Sequence, residues 1–182
     1  MKAVYITGNE NKAKYFNKMV GLEIAHQKVD VAEVQSLDAR TVVSEKAKAA
    51  FEAIKQPVIV EDTYLKFNAM GQLPGTYIKW FLEELGSEGL CKMLNFCEDR
   101  SAVAGALIAY YDGRNLEIFE SSLDGTIANE PHGSSGFGWN SIFIPREEQQ
   151  TLGEMDEDNF VRCYRKIKPF NEIRKYLLKI TK

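Results

Sequence analysis

The sequence has little of what marks secreted, zinc-binding or membrane proteins. It contains only three cysteines, Cys91, Cys97 and Cys163, with no CxxC pair and no histidine at ligand spacing, so it predicts neither a disulfide framework nor a zinc site. No apolar run approaches the roughly 20 residues that a membrane helix needs, and the N-terminus carries only a short apolar run before polar residues. We therefore expect a cytoplasmic protein that does not bind membranes.

An excess of positive charge is also missing. Lys and Arg number 23 against 26 Asp and Glu, which gives a formal net charge of −3. Proteins that coat nucleic acid neutralise phosphates with a basic surface, so we expect no nucleic-acid partner. An anionic ligand would have to be met by a local cluster of lysines.

The sequence does contain enough apolar residues for one core. With 182 residues, 45% of them hydrophobic, and no repeat, linker or low-complexity segment, it predicts a single domain over residues 1–182. Strand and helix patterns alternate, which predicts an α/β fold. The predicted strands are 3–6, 23–31, 58–60, 65–69, 102–111, 116–123, 125–128 and 142–144. The predicted helices are 12–20, 37–54, 77–85, 89–96 and 169–178.

A short turn follows the first predicted strand. Thr7, Gly8 and Asn9 lie between that strand and the next helix, and Lys12 is just inside the helix. Backbone N–H groups and the helix dipole favour an anion at such a turn, and the lysine adds a full charge, which would suit a polyphosphate. The same spacing also fits a plain turn with no ligand.

Two acidic residues follow a buried-strand pattern. Glu61 and Asp62 come directly after residues 58–60, and we expect them at the carboxyl end of that strand, where α/β sheets commonly bind ligands. Glu33 lies earlier, on a loop or a strand end. Oxygen ligands of this kind suit Mg²⁺, which bridges carboxylates to substrate phosphates. Solvated acids or a helix cap would also explain the pair.

Two further segments combine aromatic residues with groups that can bind a ligand. Lys79 lies among large aromatics in residues 74–81, although a lysine whose stem packs on an interior aromatic cluster would look the same. The glycines of residues 136–140 allow a close turn, and their aromatics can stack on a planar base. Aromatics between glycines also pack ordinary hairpins.

Taken in this order, these pieces resemble the inosine triphosphate pyrophosphatase family. The most specific stretch is residues 61–81, EDTYLKFNAMGQLPGTYIKWF, which is similar to the family's central motif at almost every position. The resemblance implies a long mixed β-sheet flanked by helices, two lobes with a central cleft, and a homodimer. It implies hydrolysis of a (deoxy)nucleoside triphosphate to the monophosphate and pyrophosphate. The implied substrate is a non-standard purine nucleotide such as ITP, dITP or XTP, or a nucleotide with a variant base. This reaction removes non-standard nucleotides from the nucleotide pool. It uses Mg²⁺, with Mn²⁺ as the alternative.

The resemblance also implies roles for particular residues. The catalytic residues that it implies are Asp62, Glu61 and Lys12. The metal ligands that it implies are Glu33 and Asp62. The substrate-binding residues that it implies are Thr7, Gly8, Asn9, Lys12, Lys46, Lys79, Phe137, Gly138, Trp139, Asn140, Tyr164 and Arg165.

The residues that would read the base depart from the family pattern. Asn140 stands where the family has Asp, and Cys163-Tyr164-Arg165 stands where it has Ser-His-Arg. Asn donates as well as accepts hydrogen bonds, so a different base edge can be satisfied, and we hypothesise another preferred base or lower selectivity. A weaker enzyme with drifted residues is one alternative. A catalytically weak nucleotide-binding or sensor protein on the same fold is the other.

Overall fold

A computed structural model describes residues 3–136 and 138–180, with the side chain of Asn11 excepted. Phe137, which the resemblance places in the substrate site, lies outside these residues. The strands are β1 (Val4–Ile6), β2 (His26–Gln27), β3 (Val58–Phe67), β4 (Pro74–Gly75), β5 (Ser101–Tyr111), β6 (Leu116–Ile127) and β7 (Phe143–Pro145). The helices are α1 (Glu10–Val20), α2 (Ala39–Ile54), α3 (Ile78–Lys92), α4 (Glu157–Ile167) and α5 (Phe170–Ile180).

The strands form one mixed sheet. Its order over the described residues is β2-β1-β3-β5-β6-β7, with β4 paired to β3. β1 runs parallel to both β2 and β3, whereas β4 is antiparallel to β3 and β7 is antiparallel to β6. The sheet and its helices confirm the predicted α/β fold with a long mixed sheet.

The chain divides into two compact units. Unit 1 holds the described residues of Met1–Asp62, Ala106–Ser121 and Lys168–Lys182, and unit 2 holds Thr63–Gly105 and Ser122–Ile167. This division agrees with the two lobes that the resemblance implies. Within the described residues, none of the helices combines the length and the apolar character needed to cross a bilayer.

Aromatic stacking builds the core of unit 1 around the start of the chain. The Tyr5 ring on β1 stacks on the Phe16 ring on α1, with their centroids 4.3 Å apart. The Phe16 ring in turn meets the edge of Phe170 at 6.0 Å, so α1 packs against α5. Both α1 and α2 begin at side-chain caps, Asn9 and Asp38 respectively, whose oxygens accept hydrogen bonds from first-turn N–H groups.

Unit 2 depends on close contacts between strands and on one half-buried guanidinium. A Cβ atom placed on Gly105 would lie only 2.3 Å from Cζ of Tyr64, so β5 needs glycine where this ring crosses it. The Arg100 side chain donates hydrogen bonds to the backbone carbonyls of Cys91, Leu94, Ile127 and Ala128. These bonds join the end of α3 to β6.

Several predicted elements differ from those observed. The prediction that Glu61 and Asp62 follow the strand is wrong, because β3 continues through them to Phe67 and takes in residues 65–67. Ion pairs that neutralise Glu61 allow the strand to continue. The two predicted helices of residues 77–96 form the single element α3, which breaks at Gly86 (φ 66°, ψ 177°). The predicted second strand is reduced to β2, and α4 was not predicted.

Candidate active site

The turn between β1 and α1 is held by its own side chains. Asn9 Oδ1 accepts a hydrogen bond from the Lys12 backbone N–H at 3.0 Å, and Thr7 Oγ1 accepts one from the Asn9 N–H at 3.2 Å. A Cβ atom on Gly8 would lie 3.1 Å from Cγ and Cδ of Lys28, so the aliphatic part of Lys28 lies against the turn. The first turn of α1 is therefore fixed, with lysine side chains beside it.

A buried carboxylate on β3 is shared by two lysines. Glu61 Oε1 lies 2.7 Å from Nζ of Lys12 and 2.7 Å from Nζ of Lys168. The Glu61 and Lys168 side chains are 2% and 3% exposed, whereas the Lys12 side chain is 29% exposed. Burial raises the pKa of Glu61, but the two ammonium groups more than offset this and bring the pKa down to about 2. Glu61 is thus ionised at neutral pH, and its oxygen is used to hold lysines.

A second ion pair lies beside the first. Lys46 Nζ on α2 is 2.7 Å from Glu33 Oε1, and it also donates to the backbone carbonyl of Glu61 at 3.4 Å. This lysine therefore ties the segment that carries Glu33 to the middle of β3. Lys46 and Glu33, which were assigned separate roles from the sequence, are direct partners.

Asp62 is the carboxylate with an unused oxygen. Within the part of the chain that the structure describes, its Oδ2 atom is buried and has no hydrogen-bond partner. Burial raises the pKa of Asp62 to about 6, with Glu33 and Glu61 adding to the rise and Lys46 and Lys12 opposing it. A carboxyl group with a pKa near neutrality can exchange a proton at physiological pH.

The residues around Asp62 fit a divalent metal of the magnesium type. Among residues 3–136 and 138–180 there is no cluster of three or more His, Cys, Asp or Glu side chains arranged to hold an ion. Mg²⁺ does not need one, because it usually binds through one or two carboxylates together with substrate phosphates and waters. The buried, unpartnered oxygen of Asp62, in the electrostatic field of Glu33, is a suitable carboxylate ligand.

The predicted lysine of unit 2 lies on the surface. The Lys79 side chain is 65% exposed, and its Nζ lies 4.8 Å from the centroid of the Trp80 ring and 3.9 Å from Glu83 Oε1. Trp80 is itself exposed, so an interior aromatic cluster does not explain this lysine.

The glycine-rich segment of unit 2 is a packed turn. The Trp139 ring is buried and meets the edge of Phe143 with centroids 5.6 Å apart. Asn140 is also buried, and a Cβ atom on Gly136 would lie 2.1 Å from its Nδ2 atom. Gly138 is exposed with a φ of 65°. These contacts favour the packing interpretation of Trp139, and stacking on a base stays a prediction.

The end of α4 separates the two last predicted site residues. Tyr164 is buried and stacks on Phe160, with ring centroids 5.0 Å apart and planes inclined by 22°. Arg165, the next residue, is exposed. Only Arg165 therefore presents its side chain to solvent.

Unit 1 brings together most of the residues that the sequence indicated. The predicted residues that lie in unit 1 are Thr7, Gly8, Asn9, Lys12, Glu33, Lys46, Glu61 and Asp62. The predicted residues that lie in unit 2 are Lys79, Gly138, Trp139, Asn140, Tyr164 and Arg165. Sequence reasoning missed Lys168, because a lysine before a proline in a basic tail has the pattern of a surface residue. Glu61 has a low pKa and two lysine partners, which suit charge pairing, and the catalytic role that the resemblance implies for it stays a prediction.

A mixed sheet that carries a lysine-lined turn and a carboxylate with a raised pKa defines an α/β protein with a candidate site for an anionic ligand. The chain belongs to the Ham1 family, whose sequence model matches residues 3–176. Its curated relatives include the inosine triphosphate pyrophosphatase of Schizosaccharomyces pombe, 38% identical over 178 residues, which span 96% of this chain and 94% of the relative. The inosine triphosphate pyrophosphatase of Batrachochytrium dendrobatidis is 42% identical over 160 residues, 85% of this chain and 83% of the relative.

Solved structures share the fold. The Ham1 protein of Coxiella burnetii superposes with a TM-score of 0.85 at 21% identity, covering 98% of this chain and 99% of that chain. The Ham1 protein of Staphylococcus aureus gives a TM-score of 0.80 at 21% identity, with the same coverage. These likenesses confirm the fold class.

Proposed function

We propose that this protein hydrolyses a nucleoside triphosphate to the monophosphate and pyrophosphate, and that its main substrate is a non-standard purine nucleotide. The observation that carries the proposal is the Asp62 carboxylate, which has a raised pKa and a buried unused oxygen in the electrostatic field of Lys12 and Lys46. The names of the curated relatives support the same activity. The chain is on this basis a nucleoside-triphosphate pyrophosphatase.

The turn after β1 and its lysines bind the phosphates. The N–H groups at the start of α1 and the Lys12 ammonium favour negative charge, and Lys46 adds a second cation close by. Lys12 is the more exposed of the two lysines on Glu61, so it is the one that can reach a ligand. A protein with a net negative charge binds a polyphosphate through this local concentration of positive charge.

Asp62 accepts the proton. A water attacks the α-phosphorus, its proton passes to the Asp62 carboxylate, and the bond between the α-phosphorus and the bridging oxygen breaks, releasing pyrophosphate. Glu61 takes no proton in this scheme and instead holds Lys12 in place. Glu33 and Asp62 are the carboxylates that would hold Mg²⁺, or Mn²⁺ in its place. When bound, this metal supplies positive charge that stabilises the phosphate oxygens.

Pyrophosphate release from a panel of ordinary and non-standard nucleoside triphosphates tests the proposal. We expect release that requires Mg²⁺, is abolished by EDTA, and falls by about a hundredfold or more in Asp62→Asn, the loss typical of a missing general base. Asp158→Asn makes the same change on an exposed residue of α4 and serves as the control.

The panel also decides between this enzyme and a catalytically weak binding or sensor protein. Tight nucleotide binding without turnover of any nucleotide would contradict the enzyme and favour the binding protein. The homodimer and the cytoplasmic location rest on the resemblance and the composition, and light scattering of the purified chain distinguishes a dimer from a monomer.

A further inference from the structure

Lys168 is a buried cation, and the roles proposed above for the turn after β1 and for Glu61 and Asp62 do not explain it. It lies just before α5, far along the chain from β3, and its side chain is 3% exposed. Its Nζ reaches the same oxygen of Glu61 that Lys12 contacts, and both distances are 2.7 Å. A buried lysine is rare unless it is paired, so this contact is the reason that the side chain can be inside.

The net charge of this cluster depends on Lys168. Lys12 and Glu61 alone would form a neutral pair, and an anion approaching Lys12 would also face the carboxylate behind it. With Lys168 on the same oxygen, the three groups carry two positive charges and one negative charge. The surplus positive charge is presented by Lys12, the only one of the three with substantial exposure.

We propose that Lys168 is a positioning residue that neutralises Glu61, so that Lys12 keeps its full attraction for the polyphosphate. Lys168 acts through Glu61 and touches no phosphate itself. Glu61 then has a structural purpose as well, because it fixes the direction of the Lys12 side chain without cancelling its charge. This inference rests on the proposed function, since it assigns Lys168 to the binding step of that reaction.

A cycle of variants tests this role. The Kd of inorganic tripolyphosphate is measured by calorimetry in EDTA, and KM and kcat are measured with Mg²⁺ and the best nucleotide. We expect Lys168→Met to weaken tripolyphosphate binding by about tenfold to a hundredfold. This is the size expected when the Glu61 charge is left unbalanced at roughly 6 Å from a phosphate, with an effective dielectric constant near 20. KM should rise by more than kcat falls, and Lys168→Arg should keep most of the affinity.

The double variant separates this role from the alternatives. If Lys168 acts by neutralising Glu61, Glu61→Gln/Lys168→Met should bind tripolyphosphate within about threefold of the wild type, because neither charge remains to be balanced. Lys175→Met, an exposed lysine of α5, makes the same change in net charge and should leave the Kd within about twofold of wild type.

Each other outcome overturns the inference. Thermal melting shows whether Lys168→Met folds. If it does not, the Kd of the double variant is compared with that of the wild type, and the value within about threefold that we expect decides the test. A tenfold weaker Kd in the double variant means that Lys168 contacts the phosphate directly or is needed only for folding. An unchanged Kd in Lys168→Met overturns the inference alone, whereas a wild type that neither binds tripolyphosphate nor hydrolyses nucleotides overturns the proposed function as well.

Discussion

Asn140 is the residue on which base preference is expected to depend. Its side chain is 3% exposed and fits against Gly136, so its amide has a fixed position instead of a free choice of partners. An amide donates and accepts, whereas a carboxylate only accepts, so exchanging the two changes the hydrogen bonds that the turn can offer. The two side chains have nearly the same size, but the amide nitrogen that donates is replaced by an oxygen that accepts.

We expect Asn140→Asp to raise kcat/KM for ITP relative to ATP by about tenfold, the effect of one well-placed hydrogen bond. Steady-state kinetics with both nucleotides measures this ratio. Asn129→Asp, the same change on an exposed residue, should leave it unaltered. An unchanged ratio in Asn140→Asp, with lower rates on both nucleotides, would favour simple drift of these residues.

Strand β5 approaches Tyr64 of β3 so closely that the pairing of these elements depends on one missing side chain. The Tyr64 ring is buried, and a Cβ atom on Gly105 would overlap Cζ at 2.3 Å and Oη at 2.4 Å. Gly105→Ala should lower the free energy of unfolding by about 1–3 kcal/mol, the range for overpacking a core. Urea unfolding measures this change.

Removing the ring should relieve the overlap. In Gly105→Ala/Tyr64→Leu we expect a smaller loss of stability than the sum of the two single variants, because the added methyl group then occupies space that the ring had filled. Strict additivity of the two changes would show that the methyl group is accommodated elsewhere.

Helices and strands with strong patterns were predictable, and elements set by distant contacts were not. The hairpin of β5 and β6 was predicted from its alternation and from the turn at Asp112, whose Oδ1 atom accepts from the N–H groups of Arg114 and Asn115. The continuation of β3 through Glu61 was not predictable, because the group that neutralises it, Lys168, lies 107 residues away in the sequence. Helix α4 was missed because its first turn is acidic and reads as part of a polar loop.

In the candidate site too, local motifs were predictable from the sequence and features set by distant contacts were not. The turn at Thr7 and the acids of β3 were visible as motifs, since their chemistry depends on neighbours in sequence. The raised pKa of Asp62 and the burial of Lys168 arise from packing, which a single sequence does not display.

At the scale of the whole molecule, the free energy of unfolding depends on pH in opposite directions through Glu61 and through Asp62. The pKa of Glu61 is below its ordinary value of 4.5, so its contribution is present above that pH and is lost as the pH falls towards 2. The pKa of Asp62 is raised from 3.8 to about 6, so its contribution is present below pH 3.8 and is lost as the pH rises through 6.

Thermal melting of the wild type and Asp62→Asn without metal isolates the second effect. We expect the variant to have the higher Tm at pH 7, because the wild type must ionise a buried carboxyl group there. This advantage should shrink as the pH falls through 6 towards 4. A difference in Tm that does not vary with pH would show that Asp62 ionises as easily when folded as when unfolded.

The parallel pairing of β3 with β1 sets Val4 beside Val58 and Tyr5 beside Ile59, and in the proposed reaction it would also decide which acid accepts the proton. Successive side chains of a strand point to opposite faces, so a slip of one residue would move either Glu61 into the place of Asp62 or Asp62 into the place of Glu61. The place left empty would then be filled by Val60 or Thr63. Misregistered chains would have the same sequence and secondary structure and still be inactive. Catalytic competence is therefore a sensitive reporter of correct strand alignment during refolding, since it returns only when this pairing is the native one.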